Sequence, residues 1–166
     1  MEKEEFQEYL NLALSTGADY AELYYENKKS TTLRLSDSKL DVIDAQFEKG
    51  LGIRIVSDEE SFYTSTNIFT KENITNTIRK LLKNIPVKDK KEVLLTDLVD
   101  KSKKVKIPHD KYPVEKKKEF LYTVDKTARA YSDEIVQVSA GIVETDKEFI
   151  VANSNGNFVK SNYVLT

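Results

Sequence analysis

The chain has 166 residues, 39% of them hydrophobic and 33% charged, enough to build one buried core without disulfides or a metal as staples. The 26 Lys and Arg nearly cancel the 28 Asp and Glu, for a formal net charge of -2. That balance excludes the basic surplus of a dedicated nucleic-acid binder and the acidic excess of a disordered solvating tail. Mean hydropathy is -0.52, and no apolar run approaches the roughly 20 residues of a membrane helix, so a soluble protein without a membrane partner is expected.

The absence of cysteine removes thiolate nucleophiles, redox motifs, cysteine zinc ribbons and iron-sulfur clusters together. The opening residues, MEKEEFQEYL, place acids where a signal peptide carries an apolar core, so a cytoplasmic location is the expectation. A single histidine, His109, rules out a site built from two histidines of this chain.

In chain order, Phe6, Tyr9, Leu10, Ala13 and Leu14 recur at helical spacing ahead of Gly17, which predicts a first helix over Lys3–Thr16. Period-two alternation follows through Ala21, Leu23 and Tyr25, then Leu33 and Leu35, then Leu51, Ile53 and Ile55, then Phe62 and Thr64. Polar clusters at Asn27–Ser30, Asp37-Ser38, Lys49-Gly50 and Asp58–Glu60 punctuate it, predicting four or five short antiparallel strands. Thr70 is a fitting N-cap for a second helix that buries Ile74, Ile78, Leu81, Leu82 and Ile85 before Pro86.

From Pro86 to Glu119 the composition shifts to eleven Lys and no Arg against seven acids. This reads as a connector with a solvated charged face, in which Val93, Leu94, Leu95, Leu98 and Val99 could dock on the core. Pro113 suits the first turn of a third helix with Phe120, Leu121, Val124, Ala128 and Tyr131 as its buried side. Strands over Glu134–Glu144, Glu148–Ala152 and Phe158–Leu165 follow, the last two joined at Asn155-Gly156. The predicted fold class is α+β, two successive helix-plus-antiparallel-meander modules with the second cut short. The predicted organisation is residues 1–85, a Lys-rich connector 86–112, and 113–166. The second meander stops within a strand at Tyr163–Thr166, so the chain is expected to be part of something longer or to pair that edge with a partner.

Chemistry is sparse. His109 beside Asp110 could be read as an oriented base, but it lies in the connector and no motif places a nucleophile near it. Gly50-Leu51-Gly52 precedes a strand rather than a helix, which disfavours a phosphate cradle; a turn at Gly50 and a close backbone approach or bulge at Gly52 are expected instead. The acid pairs Glu4-Glu5, Glu59-Glu60 and Asp133-Glu134 have no apolar pocket around them, and no calcium-loop pattern occurs. Tyr20, Tyr24 and Tyr25 read as core and cross-strand packing rather than a base-stacking platform.

The runs GADYAELYYE at Gly17–Glu26, KGLGIRIV at Lys49–Val56 and SFYTST at Ser61–Thr66 resemble the first domain of the TldD/PmbA family, whose members also carry the label of modulators of DNA gyrase. VDKTAR at Val124–Arg129, VQVSA at Val136–Ala140 and VANSNG at Val151–Gly156 resemble the domain that follows, on the TldD side more than the PmbA side. The resemblance runs from about residue 5 to residue 166. It implies a longer parent that is a zinc metallopeptidase, with ligands in an H-E-x-x-x-H helix motif downstream and a further ligand later still.

This sequence holds no such motif, and His109 is followed by Asp110, so no metal ligand is carried over. No catalytic, cofactor-binding or metal-ligating residue is therefore assigned, no cofactor is expected in this chain, and zinc is expected in the full-length parent. What the resemblance implies here is a non-catalytic scaffold that accommodates unfolded peptide and joins a homodimer or a TldD with PmbA heteromer. The alternative is a free-standing peptide- or protein-interaction module without hydrolase activity. A partnership with gyrase or DNA has no electrostatic footprint in the charge balance.

Overall fold

The computed structural model describes residues 1–105, 108 and 111–166. The fold is α+β, with three helices and a six-stranded mixed sheet among the described residues. Helix α1 (Lys3–Ala13) starts on a reciprocal capping box, in which the Glu5 carboxylate accepts the Glu2 backbone N–H at 2.8 Å. It stops earlier than the predicted Thr16. The Gly17 N–H closes a tight turn on the Leu14 carbonyl, and Gly17 takes the left-handed conformation expected of it, with φ +79.

The alternating region forms three strands rather than four or five short ones: β1 (Tyr20–Ser36), β2 (Lys39–Ser57) and β3 (Glu60–Thr66). Two of the punctuating clusters are turns. Asp37 and Ser38 have φ 46 and 61, and Asp58 and Glu59 have φ 53 and 67, the paired positive values of a tight hairpin turn. The other two, Asn27–Ser30 and Lys49-Gly50, lie inside strands. Neither holds a proline, so every residue there keeps its ladder donor, and polar side chains are tolerated where a strand is exposed.

Thr70 caps α2 (Lys71–Leu82), its hydroxyl accepting the Asn73 N–H at 3.3 Å. Ile85 is buried beyond the helix rather than within it. Two residues of the connector form β4 (Val99–Asp100). Pro113 is the extended N-cap of helix α3 (Val114–Arg129) rather than part of its first turn, and the buried face differs from the predicted one: Leu121 and Asp125 are buried, while Phe120, Val124 and, beyond the helix, Tyr131 are exposed. The burial of Asp125 is offset by hydrogen bonds from Ser38 and Arg129. The predicted strands Glu134–Glu144 and Glu148–Ala152 are one strand, β5 (Ser139–Asn153), and residues 134–138 precede it outside the sheet. Strand β6 (Phe158–Leu165) follows the predicted turn, where Gly156 has φ +84.

The sheet order is β3-β2-β1-β5-β6-β4, so both strand groups share one sheet. β2 and β3 pair antiparallel from Leu51↔Thr66 to Ser57↔Glu60, and β4 pairs parallel with β6 at Val99↔Val159 and Asp100↔Lys160. Two compact units divide the chain. The first comprises Met1–Asn27, Glu48–Ser102 and Glu148–Asn162; the second comprises Lys28–Phe47, Lys103–Lys147 and Tyr163–Thr166. In the first, Phe6, Leu10, Leu23, Ile53, Ile74 and Ile78 belong to a fully buried cluster that Phe158 and Leu95 complete. The second has a smaller core of Leu33, Leu35 and Leu121, flanked by Leu40, Ala140 and Ile142. By area, each fully buried leucine or isoleucine contributes about 2 kcal/mol, so the first core holds most of the hydrophobic stabilisation.

Candidate functional site

In the first unit the connector is strapped onto α1 by side chains that imitate a neighbouring strand. Gln7 accepts the Leu95 N–H at 2.7 Å and donates to the Val93 carbonyl, and Asn11 accepts the Val93 N–H at 3.0 Å. Val93 and Leu95 dock on the core, whereas Leu94 and Leu98 remain exposed. The connector lysines meet acids of the same unit: Lys88 with Asp58 at 2.6 Å and Lys91 with Asp19 at 3.2 Å. The Asp58 backbone N–H, then Lys91, hold the Asp19 carboxyl below its usual range.

The tyrosine cluster divides between the two faces of β1, as alternation requires. Tyr25 turns to the core side and stacks edge-on against Phe69, with the Lys49 ammonium 4.6 Å from the Phe69 ring. Tyr20 and Tyr24 share the other face, where they donate to Glu22 at 2.7 Å and Glu26 at 3.0 Å, and Tyr24 packs on Phe149. Burial, then the Glu22 hydrogen bond, push the Tyr20 phenol up to about 12. A Cβ at Gly52 would sit 2.9 Å from the Tyr63 hydroxyl, so its close neighbour is a side chain rather than the expected backbone; Gly50 has open space around it and lies within β2 rather than in the expected turn.

In the second unit a carboxylate cluster escaped the sequence reading. Asp125, buried on α3, accepts the Ser38 hydroxyl at 2.6 Å and Arg129 Nε at 3.2 Å. Arg129 also reaches Asp37 at 2.9 Å, and Asp37 accepts the Val138 N–H at 3.2 Å. Nearby on the chain, Lys117 and Glu144 form an ion pair at 2.7 Å with side-chain exposures of 15% and 6%. That pair borders a cavity of about 620 Å³, lined also by Lys29, Thr31, Tyr112 and Asp146, and a more apolar one of about 410 Å³ reaching Phe120 and Ile142. The i,i+4 spacing of Asp125 and Arg129 was the one sequence signal for this cluster.

The second unit also contains an open sheet edge. Pairing of β2 with β3 ends at Leu51, so among the described residues β2 over Lys39–Phe47 has no strand on the side away from β1. Ile43 and Phe47 on this stretch are 57% and 74% exposed, with Lys29 Nζ 5.7 Å from the Phe47 ring.

The remaining residues weighed in the sequence are scattered. Glu4 and Glu5 lie in the first turn of α1, Glu59 in the β2–β3 turn, and Asp133 and Glu134 after α3. His109 and Asp110 lie outside the described residues. Among the described residues no three His, Cys, Asp or Glu side chains form a group that could hold a metal ion, so these residues do not fit a zinc site. Among the described residues no helix is long and apolar enough to cross a membrane.

Residues 21–85 match the family domain described as PmbA/TldA metallopeptidase domain 1, and residues 107–166 match the PmbA/TldA metallopeptidase central domain. The chain belongs to the PmbA/TldD metallopeptidase family. Similar proteins include a metalloprotease of Methanocaldococcus jannaschii, 25% identical over 144 residues that cover 82% of this chain and 32% of that protein. A metalloprotease TldD homolog of Buchnera aphidicola subsp. Schizaphis graminum is 25% identical over 144 residues, covering 84% of this chain and 29% of its own length. The chain thus spans about a third of the length of the curated relatives it matches. The fold is shared with a Bacteroides thetaiotaomicron crystal structure labelled a modulator of DNA gyrase: TM-score 0.73, 19% identity, covering 98% of this chain and 38% of that one. The PmbA/TldD domain 1 match spans β1 to α2; its residues 28–47 belong to the second unit and the rest to the first.

Proposed function

We propose that this chain is the N-terminal scaffold of a longer TldD-like zinc metallopeptidase that degrades or trims unfolded peptides, and that it accommodates peptide without being catalytic itself. The observation that carries this reading is the pairing of two successive family-domain matches with a span of about a third of the relatives' length. The sequence holds no H-E-x-x-x-H, and the described residues gather no metal ligands, which supports placing the zinc chemistry in another part of the parent. An open sheet edge supports the peptide role, because main-chain hydrogen bonds hold an extended chain with little regard to its side chains. In this reading the parent works in the cytoplasm as a homodimer or as a TldD with PmbA heteromer.

The test combines three measurements on the purified chain: calorimetric titration with an unstructured peptide, zinc content after incubation with the metal, and mass spectrometry of the peptide afterwards. Saturable binding without stoichiometric zinc or cleavage is expected. Cleavage by the chain alone overturns the non-catalytic assignment, and absence of binding overturns the peptide role.

A further inference from the structure

We propose that Asn155 is a deamidation site, restrained by the turn that contains it, and that its isoaspartyl product unfastens the connector from that turn.

Chemistry singles out the residue first. The backbone nitrogen that follows an asparagine can attack the side-chain amide carbon, and a side chain on that following residue obstructs the approach. Asn155 is the one asparagine of the sequence followed by glycine, which has no Cβ to stand in the way. In the first step a bond forms between the Gly156 nitrogen and Asn155 Cγ. The bond from Cγ to the side-chain nitrogen breaks, and that nitrogen leaves as ammonia, carrying the proton that the Gly156 nitrogen gives up. Water then opens the five-membered imide. Cleavage at Cγ gives aspartate. Cleavage at the Asn155 backbone carbonyl gives isoaspartate, whose main chain runs through the side chain and is longer by a methylene.

The fold supplies the restraint. Asn155 is exposed, whereas Gly156 is buried with φ +84. The Gly156 N–H, which must become the nucleophile, donates to the Asn153 carbonyl at 3.0 Å, and the Asn155 N–H donates to Asn153 Oδ1 at 3.1 Å. On one side Ser154 ties the turn to Ala21 of β1: its N–H donates to the Ala21 carbonyl at 2.9 Å, and its hydroxyl accepts the Ala21 N–H at 3.2 Å. On the other side the Gly156 carbonyl accepts the Thr96 N–H of the connector at 2.8 Å. Attack therefore waits for a local opening that breaks the Gly156 bond and lets its peptide plane rotate. The same contacts give the consequence. A Cβ at Gly156 would stand 3.1 Å from the Leu94 carbonyl, so turn and connector already touch, and an added methylene displaces one from the other. The bond between Thr96 and Gly156 is the one lost.

The test follows the intact chain by peptide mapping and mass spectrometry during incubation at mildly alkaline pH, native and in urea. Asn155 is expected to react first among the asparagines in urea, and about tenfold more slowly in the native chain. Equal rates in the two states overturn the restraint, and an Asn155 that stays intact in urea overturns the site. The isoaspartyl chain, separated after incubation, is expected to exchange the Thr96 amide faster than the fresh chain. The variant Asn155→Asp, which adds the charge without lengthening the main chain, is expected to keep the fresh chain's protection at Thr96. Unchanged protection in the isoaspartyl chain, or equal loss in Asn155→Asp, overturns the unfastening of the connector.

Discussion

Ser38, at the tip of the β1–β2 turn, donates its hydroxyl to the buried carboxylate of Asp125 on α3 at 2.6 Å, across 87 positions of sequence. That hydrogen bond is the largest cause holding the Asp125 carboxyl below its usual range; burial opposes it and Arg129 adds to it. A carboxyl depressed in the folded state contributes stability that is fully present above its unfolded value, about 3.9, and lost as pH falls through the folded value. The urea midpoint of the chain is therefore expected to drop below about pH 4, and Asp125→Asn to lower the midpoint at neutral pH while flattening that acid dependence. An unchanged acid slope in the variant would count against the cluster.

The Lys117–Glu144 ion pair is largely buried on both sides. Removing the Glu144 carboxylate leaves the Lys117 charge less compensated, and Glu144→Leu alone is expected to destabilise the chain by about 1–3 kcal/mol in chemical denaturation. The double variant Lys117→Met, Glu144→Leu should recover most of that loss, because both desolvated charges are gone. If single and double variants are equally unstable, packing rather than charge decides this site.

Gln7 uses both ends of its amide on the connector, accepting from Leu95 and donating to Val93. Gln7→Ala leaves those backbone groups without protein partners and is expected to cost about 1–2 kcal/mol. Amide hydrogen exchange should accelerate at Val93 and Leu95 more than in α2. Uniform acceleration across the first unit would mean that the strap is not a separate opening unit.

Ser57 is almost fully buried, and its hydroxyl has no hydrogen-bond partner among the described residues. A buried hydroxyl without a partner is a desolvation cost, so Ser57→Ala is expected to stabilise by about 1 kcal/mol, read as a raised thermal midpoint. Destabilisation of similar size would reveal a partner for that hydroxyl.

Local signals were legible wherever the chemistry is short-range. Thr70 as a cap, Pro113 before α3, Gly17 in the left-handed region and Asn155-Gly156 in a turn all depend on neighbours a few residues away. What stayed hidden depends on distant partners. Asp125 reads as a surface acid until Ser38 is brought to it, and Glu144 until Lys117 is. The predicted face of α3 held at Leu121 but not at Phe120 and Val124, because apolar spacing alone does not register the buried Asp125 beside Leu121. The breaks expected at Asn27–Ser30 and Lys49-Gly50 failed because composition alone does not end a strand whose backbone remains paired. The open edge of β2 was out of reach too. It follows from where β3 stops pairing, at Leu51, and the apolar pattern of β2 gives no sign of that point.

Amide hydrogen exchange of the chain, with and without a saturating unstructured peptide, reads out whether the sheet takes up a peptide strand. A peptide added as a strand supplies carbonyl acceptors to N–H groups that otherwise face solvent, so slower exchange is expected along β2 between Lys39 and Phe47, with the peptide recovered intact. Binding that leaves every sheet edge unprotected, or a peptide cleaved by this chain alone, would contradict it.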